Sequence, residues 1–128
     1  MNTDETVNVR YLVDDVAAAV EFYTTHFGFQ ELSSALPAFA DVSRGKLRLL
    51  LSGPHSSAGR AMPDGARPGP GGWNRIHFVT SDLAGEIARL KAAGVTFRND
   101  VVTGPGGSQI LIQDPAGNLV ELFQPASR

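Results

Sequence analysis

The sequence contains no cysteine. Disulfides, thiolate metal sites and a cysteine nucleophile are therefore excluded. No apolar run approaches the roughly 20 residues that a membrane-spanning helix requires. Lys and Arg do not cluster, and the formal net charge is −2 with a pI near 5.8. That balance argues against nucleic-acid binding, which needs a basic footprint. Histidine occurs three times, at His26, His55 and His77, so imidazole chemistry is confined to three places. The opening residues, Met1-Asn2-Thr3-Asp4-Glu5-Thr6, are polar and acidic. They do not read as a signal peptide, and a cytoplasmic location is the expectation.

What is present is enough for one packed globule. The chain has 128 residues, 42% of them hydrophobic. Two stretches resemble each other: "NVRYLVDDVAAAVEFYTTHFGF" from Asn8 to Phe29, and "RIHFVTSDLAGEIARLKAAGVTF" from Arg75 to Phe97. Each reads as a short alternating strand, an acidic helix cap (Asp15, Asp82), an amphipathic helix, a glycine (Gly28, Gly94) and a further strand. The halves also end alike, "RGKLRLLLSGP" beside "AGNLVELFQP", with Gly45 set against Gly117 and Leu49 against Glu121. From Gly53 to Gly72, ten of twenty residues are Gly or Pro, which no helix or central strand tolerates. The pattern predicts an α+β fold of two βαβββ modules within one domain, residues 1–128. Module one covers about 6–54, the linker about 55–72 and module two about 73–125. The linker is long enough to serve as a lid. "GPGG" at Gly104 lacks the Lys-Ser/Thr and helix of a phosphate loop and reads as a hairpin turn, as does "DPAG" at Asp114.

Strand alternation separates two faces. Val7, Val9, Tyr11 and Val13 are expected against the helices, and Asn8, Arg10 and Leu12 on the other, concave side. In module two, Ile76, Phe78, Val120 and Leu122 are expected against the helix. Arg75, His77, Val79, Leu119, Glu121 and Phe123 then face the concavity, and Leu47, Leu49 and Leu51 are expected to join them. Glu121 is a single carboxylate between Val120 and Leu122. It reads either as a metal ligand or as the partner of Arg75, and the latter is favoured because a carboxylate in a partly apolar cavity needs a counter-charge. His77 lies about 6–7 Å along the strand from Arg75 on the same face. It is either a hydrogen-bonded cavity residue or a general acid-base near neutral pH. Trp73 either stacks on a flat ligand or pins the linker to the sheet. His26, at a helix end, reads as structural and His55 as an exposed linker residue.

The stretches "VDDVAAAVEFYTTHFGF", "DLAGEIARLKAAGV" and "DPAGNLVELFQP" resemble the vicinal oxygen chelate superfamily, which includes glyoxalases, extradiol dioxygenases, fosfomycin-resistance enzymes and bleomycin-binding proteins. The resemblance covers nearly the whole chain. It implies paired βαβββ units curling into a half-barrel of mixed sheet with helices outside, usually in a homodimer. In metal-dependent members it implies a divalent ion held from the first strand of each module, the closing strand and, in glyoxalases, the fourth strand. These positions fall here on Asn8, Arg75, Glu121 and Leu49, and only Glu121 matches the family's ligand types. Asn is a weak ligand, Leu none, and Arg carries a fixed positive charge.

The resulting expectation is a protein that binds a small organic ligand in a concave cavity without metal or other cofactor. Asn8, Arg10, Leu49, Trp73, Arg75, His77, Glu121 and Phe123 are the candidate ligand-binding residues. The alternatives are a metal-dependent lyase or dioxygenase with a nonstandard site at Glu121 and His77, and a metal-free enzyme with His77 and Glu121 as catalytic acid-base groups. A homodimer is expected, because a half-open sheet leaves edges and apolar surface to cover.

Overall fold

The computed structural model describes residues 5–127; the polar stretch through Asp4 lies outside the described residues. The chain divides into two compact units, the first ending at Gly71 and the second beginning at Gly72. The Gly/Pro segment therefore belongs with the first unit.

The first unit runs β1 (Val7–Leu12), α1 (Val16–Phe27), β2 (Gln30–Ala35), β3 (Phe39–Arg44) and β4 (Leu47–Ser52). Its sheet has the order β1-β4-β3-β2, with β1 parallel to β4 and the other neighbours antiparallel. After β4 the Gly/Pro segment forms one 3₁₀ turn, Ser57–Gly59, and no strand. The second unit runs β5 (Ile76–Val79), α2 (Leu83–Ala92), β6 (Thr96–Phe97), β7 (Val102–Gly104), β8 (Gly107–Gln113) and β9 (Leu119–Pro125). Its order is β5-β9-β8-β6, and β7 also pairs with β8. The expected βαβββ repeat is present in an α+β fold, except that the second strand of the second unit is broken into β6 and β7.

Local chemistry sets these boundaries. Asp15 and Asp82 cap the two helices by accepting from the amides of Ala18 and Gly85. Gly28 ends α1 in the left-handed conformation, φ 69°, which other residues enter at a cost. Gly104 and Gly107 close the β7–β8 hairpin, as their sequence suggested. In the β8–β9 turn, Asp114 Oδ1 accepts from the amides of Ala116 and Asn118.

Each sheet buries one face. In the first unit Tyr11 meets the fully buried Tyr23 of α1 at a ring separation of 6.4 Å, so the Val9/Tyr11 face is the helix-covered one. Val7, placed on that face by its alternation, is exposed at the start of β1. In the second unit Ile76, Val120, Leu122 and Leu90 are buried. Each such aliphatic side chain contributes about 1.5–3 kcal/mol when fully buried.

One expectation is overturned. Leu49 pairs with Val9 on β1 and Val42 on β3, and Leu51 with Tyr11 and Ala40. Leu47 pairs likewise with Val7. All three leucines thus face the helix side, with Leu49 and Leu51 fully buried. The cause is turn length. Arg44 pairs with Leu47 across a two-residue turn, whereas Gln113 pairs with Leu119 across five residues. Aligning the turn glycines therefore misplaces β4 by one residue, which exchanges its faces. Arg10 pairs with Leu50 as His77 pairs with Glu121, so Leu50 is the counterpart of Glu121.

Candidate functional site

The open face of the second sheet gathers most of the predicted residues. Arg75 immediately precedes β5, and His77 lies two residues on, in register with Glu121 on the parallel strand β9. Phe123, two residues beyond Glu121, shares that face and stacks against His77 at 5.2 Å. Leu111 of β8 flanks Glu121 on its other side.

Glu121 is 6% exposed, and its carboxylate is occupied on both oxygens. Oε1 accepts from Arg75 Nε at 2.9 Å, and Arg75 Nη2 lies 2.8 Å from the same oxygen. Oε2 lies 3.3 Å from His77 Nε2. The pairing of Arg75 with Glu121 is thus present. It stabilises the buried charge, because taking a carboxylate out of water is costly unless a counter-charge and hydrogen bonds replace the water. Arg75 Nη1 donates to the Trp73 carbonyl at 3.1 Å, which ties the guanidinium to the segment entering β5. Trp73 is 63% exposed, with the Arg98 guanidinium 5.4 Å from its ring centre.

Asn8 and Arg10 lie on the open face of the first sheet. Leu49 does not, and its role as a ligand-binding residue is withdrawn. Two residues that the alternation of β3 and β4 places on this face went unremarked in the sequence: Asp41 and Arg48. Asp41 is 2% exposed. Its Oδ2 is bound by Arg48 Nε and Nη2, both at 2.6 Å, and its Oδ1 accepts from the Ser33 amide and hydroxyl. Burial disfavours the anion, but hydrogen bonds from Ser33 and Arg48 and the Arg48 charge outweigh it, holding the carboxyl below the usual carboxylate range. The signal was available: Asp41 stands alone between Ala40 and Val42, as Glu121 stands between Val120 and Leu122.

A cavity of about 400 Å³ also exists in the second unit, lined by Leu83, Ile87, Val101, Thr103 and Gln124 among others. It contains none of the predicted residues.

The four positions that the resemblance assigns to a metal do not fit one. Leu49 faces the helix side, Leu50 in its place is equally apolar, Asn8 is a neutral amide, and Arg75 puts a positive charge directly on Glu121. Among the described residues no three His, Asp or Glu side chains gather as a metal site requires.

A family model decides the relationship. The Glyoxalase/Bleomycin resistance protein/Dioxygenase superfamily matches residues 6–122. The chain belongs to this superfamily. A lactoylglutathione lyase from Agrobacterium tumefaciens superposes with a TM-score of 0.74 at 25% identity, covering 97% of this chain and 96% of the other. A superfamily member from Sphaerobacter thermophilus DSM 20745 gives a TM-score of 0.73 at 25% identity, covering 93% and 95%. TnmS3, an antibiotic-binding protein from Streptomyces sp. CB03234, shares the fold with a TM-score of 0.72 at 24% identity over 98% and 99%. No curated protein sequence matches. No helix among the described residues is long and apolar enough to cross a membrane.

Proposed function

We propose that this superfamily member binds a small organic ligand on an open sheet face and uses no divalent metal at Glu121. The fold serves a lyase and an antibiotic-binding protein alike, so the site has to decide. The observation that carries the reading is the Arg75–Glu121 pair: a guanidinium at 2.8 Å stands where a metal would be repelled. Around it lie the surfaces a ligand uses, with Phe123 and the exposed Trp73 for apolar and aromatic contact and His77 for hydrogen bonding. A homodimer is part of this reading. Strand β2 is a sheet edge, all six of its residues are exposed, and Leu32 and Leu36 add apolar surface there. Light scattering at micromolar concentration should give twice the chain mass.

The test is a fluorescence titration with the neutral probe N-phenyl-1-naphthylamine, with and without EDTA. Saturable binding that EDTA leaves unchanged is the expected result. No binding, or binding that requires added nickel, manganese or zinc, overturns the reading.

A second reading rests on one contact. His77 remains about half exposed with Nε2 directed at Glu121 Oε2, the arrangement of an acid-base pair open to a substrate. Chemical conversion of a bound ligand, abolished in His77→Ala, would favour it over simple binding.

A further inference from the structure

We propose that the open face of the first sheet takes a ligand with an anionic group, a carboxylate, sulfonate or phosphate, and that Arg10 receives that group. This rests on the binding reading above and adds the chemical class of the ligand.

The inference follows from the charges that each open face carries. Register assigns Asn8, Arg10 and Leu12 of β1, Arg48, Leu50 and Ser52 of β4, and Phe39, Asp41 and Ser43 of β3 to one face. Three of these are charged. Arg48 is compensated by the buried Asp41 at 2.6 Å. Arg10 forms no ion pair among the described residues. In the second sheet Arg75 is compensated by Glu121. In the second unit Arg98, which lies over the Trp73 ring, also has no ion pair among the described residues; in the first, Arg10 is the one charged side chain of the open face without a counter-charge among the described residues. Its guanidinium stays protonated at any relevant pH.

Arg10 is also positioned. Its Nη1 donates to Ser52 Oγ at 2.9 Å, and Ser52 is fully buried. A neutral acceptor orients the guanidinium without cancelling its charge, and the remaining N–H groups keep the fork geometry that matches an oxyanion. Leu12, Leu50 and Phe39 on the same face are partly buried and partly open. They supply apolar contact beside the cation. The surface suits an amphiphilic acid, apolar over most of its area and negatively charged at one end, rather than inorganic phosphate alone.

The test compares two probes with the same aromatic framework: 8-anilinonaphthalene-1-sulfonate and the neutral N-phenyl-1-naphthylamine. The full chain should bind the sulfonate about tenfold more tightly, the value of one charge-assisted hydrogen bond of about 1.4 kcal/mol. That preference should shrink as salt rises. Arg10→Met should abolish it, bringing the sulfonate down to the affinity of the neutral probe. Arg10→Lys should restore part of it, and Ser52→Ala should weaken it through loss of orientation. Arg10 is exposed, so Arg10→Lys, which keeps a donor near Ser52, should keep the melting temperature of the parent. Neutral-probe binding with no preference for the sulfonate, or a preference that survives Arg10→Met, overturns the anionic class and leaves the binding reading standing. Failure of both probes to bind overturns the binding reading and this inference with it.

Discussion

Asp41 in the first sheet and Glu121 in the second are counterparts in circumstance: each is a lone carboxylate on an open sheet face, nearly inaccessible, and each is held by an arginine from an adjacent strand or its immediate lead-in. Both sheets thus tolerate a buried negative charge by the same device. Their partners differ in what they leave over. Ser33 completes the shell of Asp41, whereas the second oxygen of Glu121 faces the half-exposed His77.

Asp41 predicts an acid limb of stability. Its folded pKa lies below the ordinary value of 3.8, so the ionised form is favoured by folding. A depressed carboxylate contributes stability that is present above the unfolded pKa and lost as pH falls through the folded one. Urea unfolding should show stability falling below about pH 4. Asp41→Asn should flatten that fall while lowering stability near neutrality.

Arg75→Ala should destabilise the protein by about 1–3 kcal/mol, because it leaves the buried Glu121 carboxylate with only the His77 contact at 3.3 Å. The loss should be much smaller when Glu121→Gln is already present. A double-mutant cycle by urea denaturation measures the coupling, and additive losses would show that the two side chains do not support each other.

The faces of β4 are tested by Leu49→Ala and Leu50→Ala. Leu49 is fully buried under the helix and should cost about 2–5 kcal/mol. Leu50, on the open face, should cost about 1 kcal/mol and instead change probe affinity. The reverse order would restore the original face assignment.

That assignment marks the limit of what the sequence discloses. Helix caps at Asp15 and Asp82, the Gly28 terminus and the repeat itself are local signals within a few residues, and they predicted the elements. The pairing of Arg75 with Glu121 followed from alternation plus the cost of an unpaired charge. The register of β4 did not, because it depends on how many residues a turn consumes, and glycine alignment alone does not count them. The break between β6 and β7 has another cause: the Asn99 side chain there accepts from the Leu111 amide in place of a backbone carbonyl. Asp41 and Arg48 were legible by the argument applied to Glu121. Neither coincides with a position that the family pattern assigns to a metal.

Arg75→His should convert the site. It removes the fixed charge, frees Glu121 and places a second imidazole two residues before His77 on one face. Added nickel or zinc should then raise the melting temperature, as any ligand that binds only the folded state does. The rise should vanish in Arg75→His combined with Glu121→Gln. No response to metal in the single variant would mean that geometry, and not only the Arg75 charge, keeps metal out.

The most direct measurement is elemental analysis of the unaltered protein, purified without added metal and again after incubation with nickel, manganese and zinc followed by desalting. With Arg75 seated on Glu121, both samples should hold far less than one divalent ion per chain. One tightly held ion per chain, lost on Glu121→Gln, would contradict the metal-free site and make Glu121 a ligand.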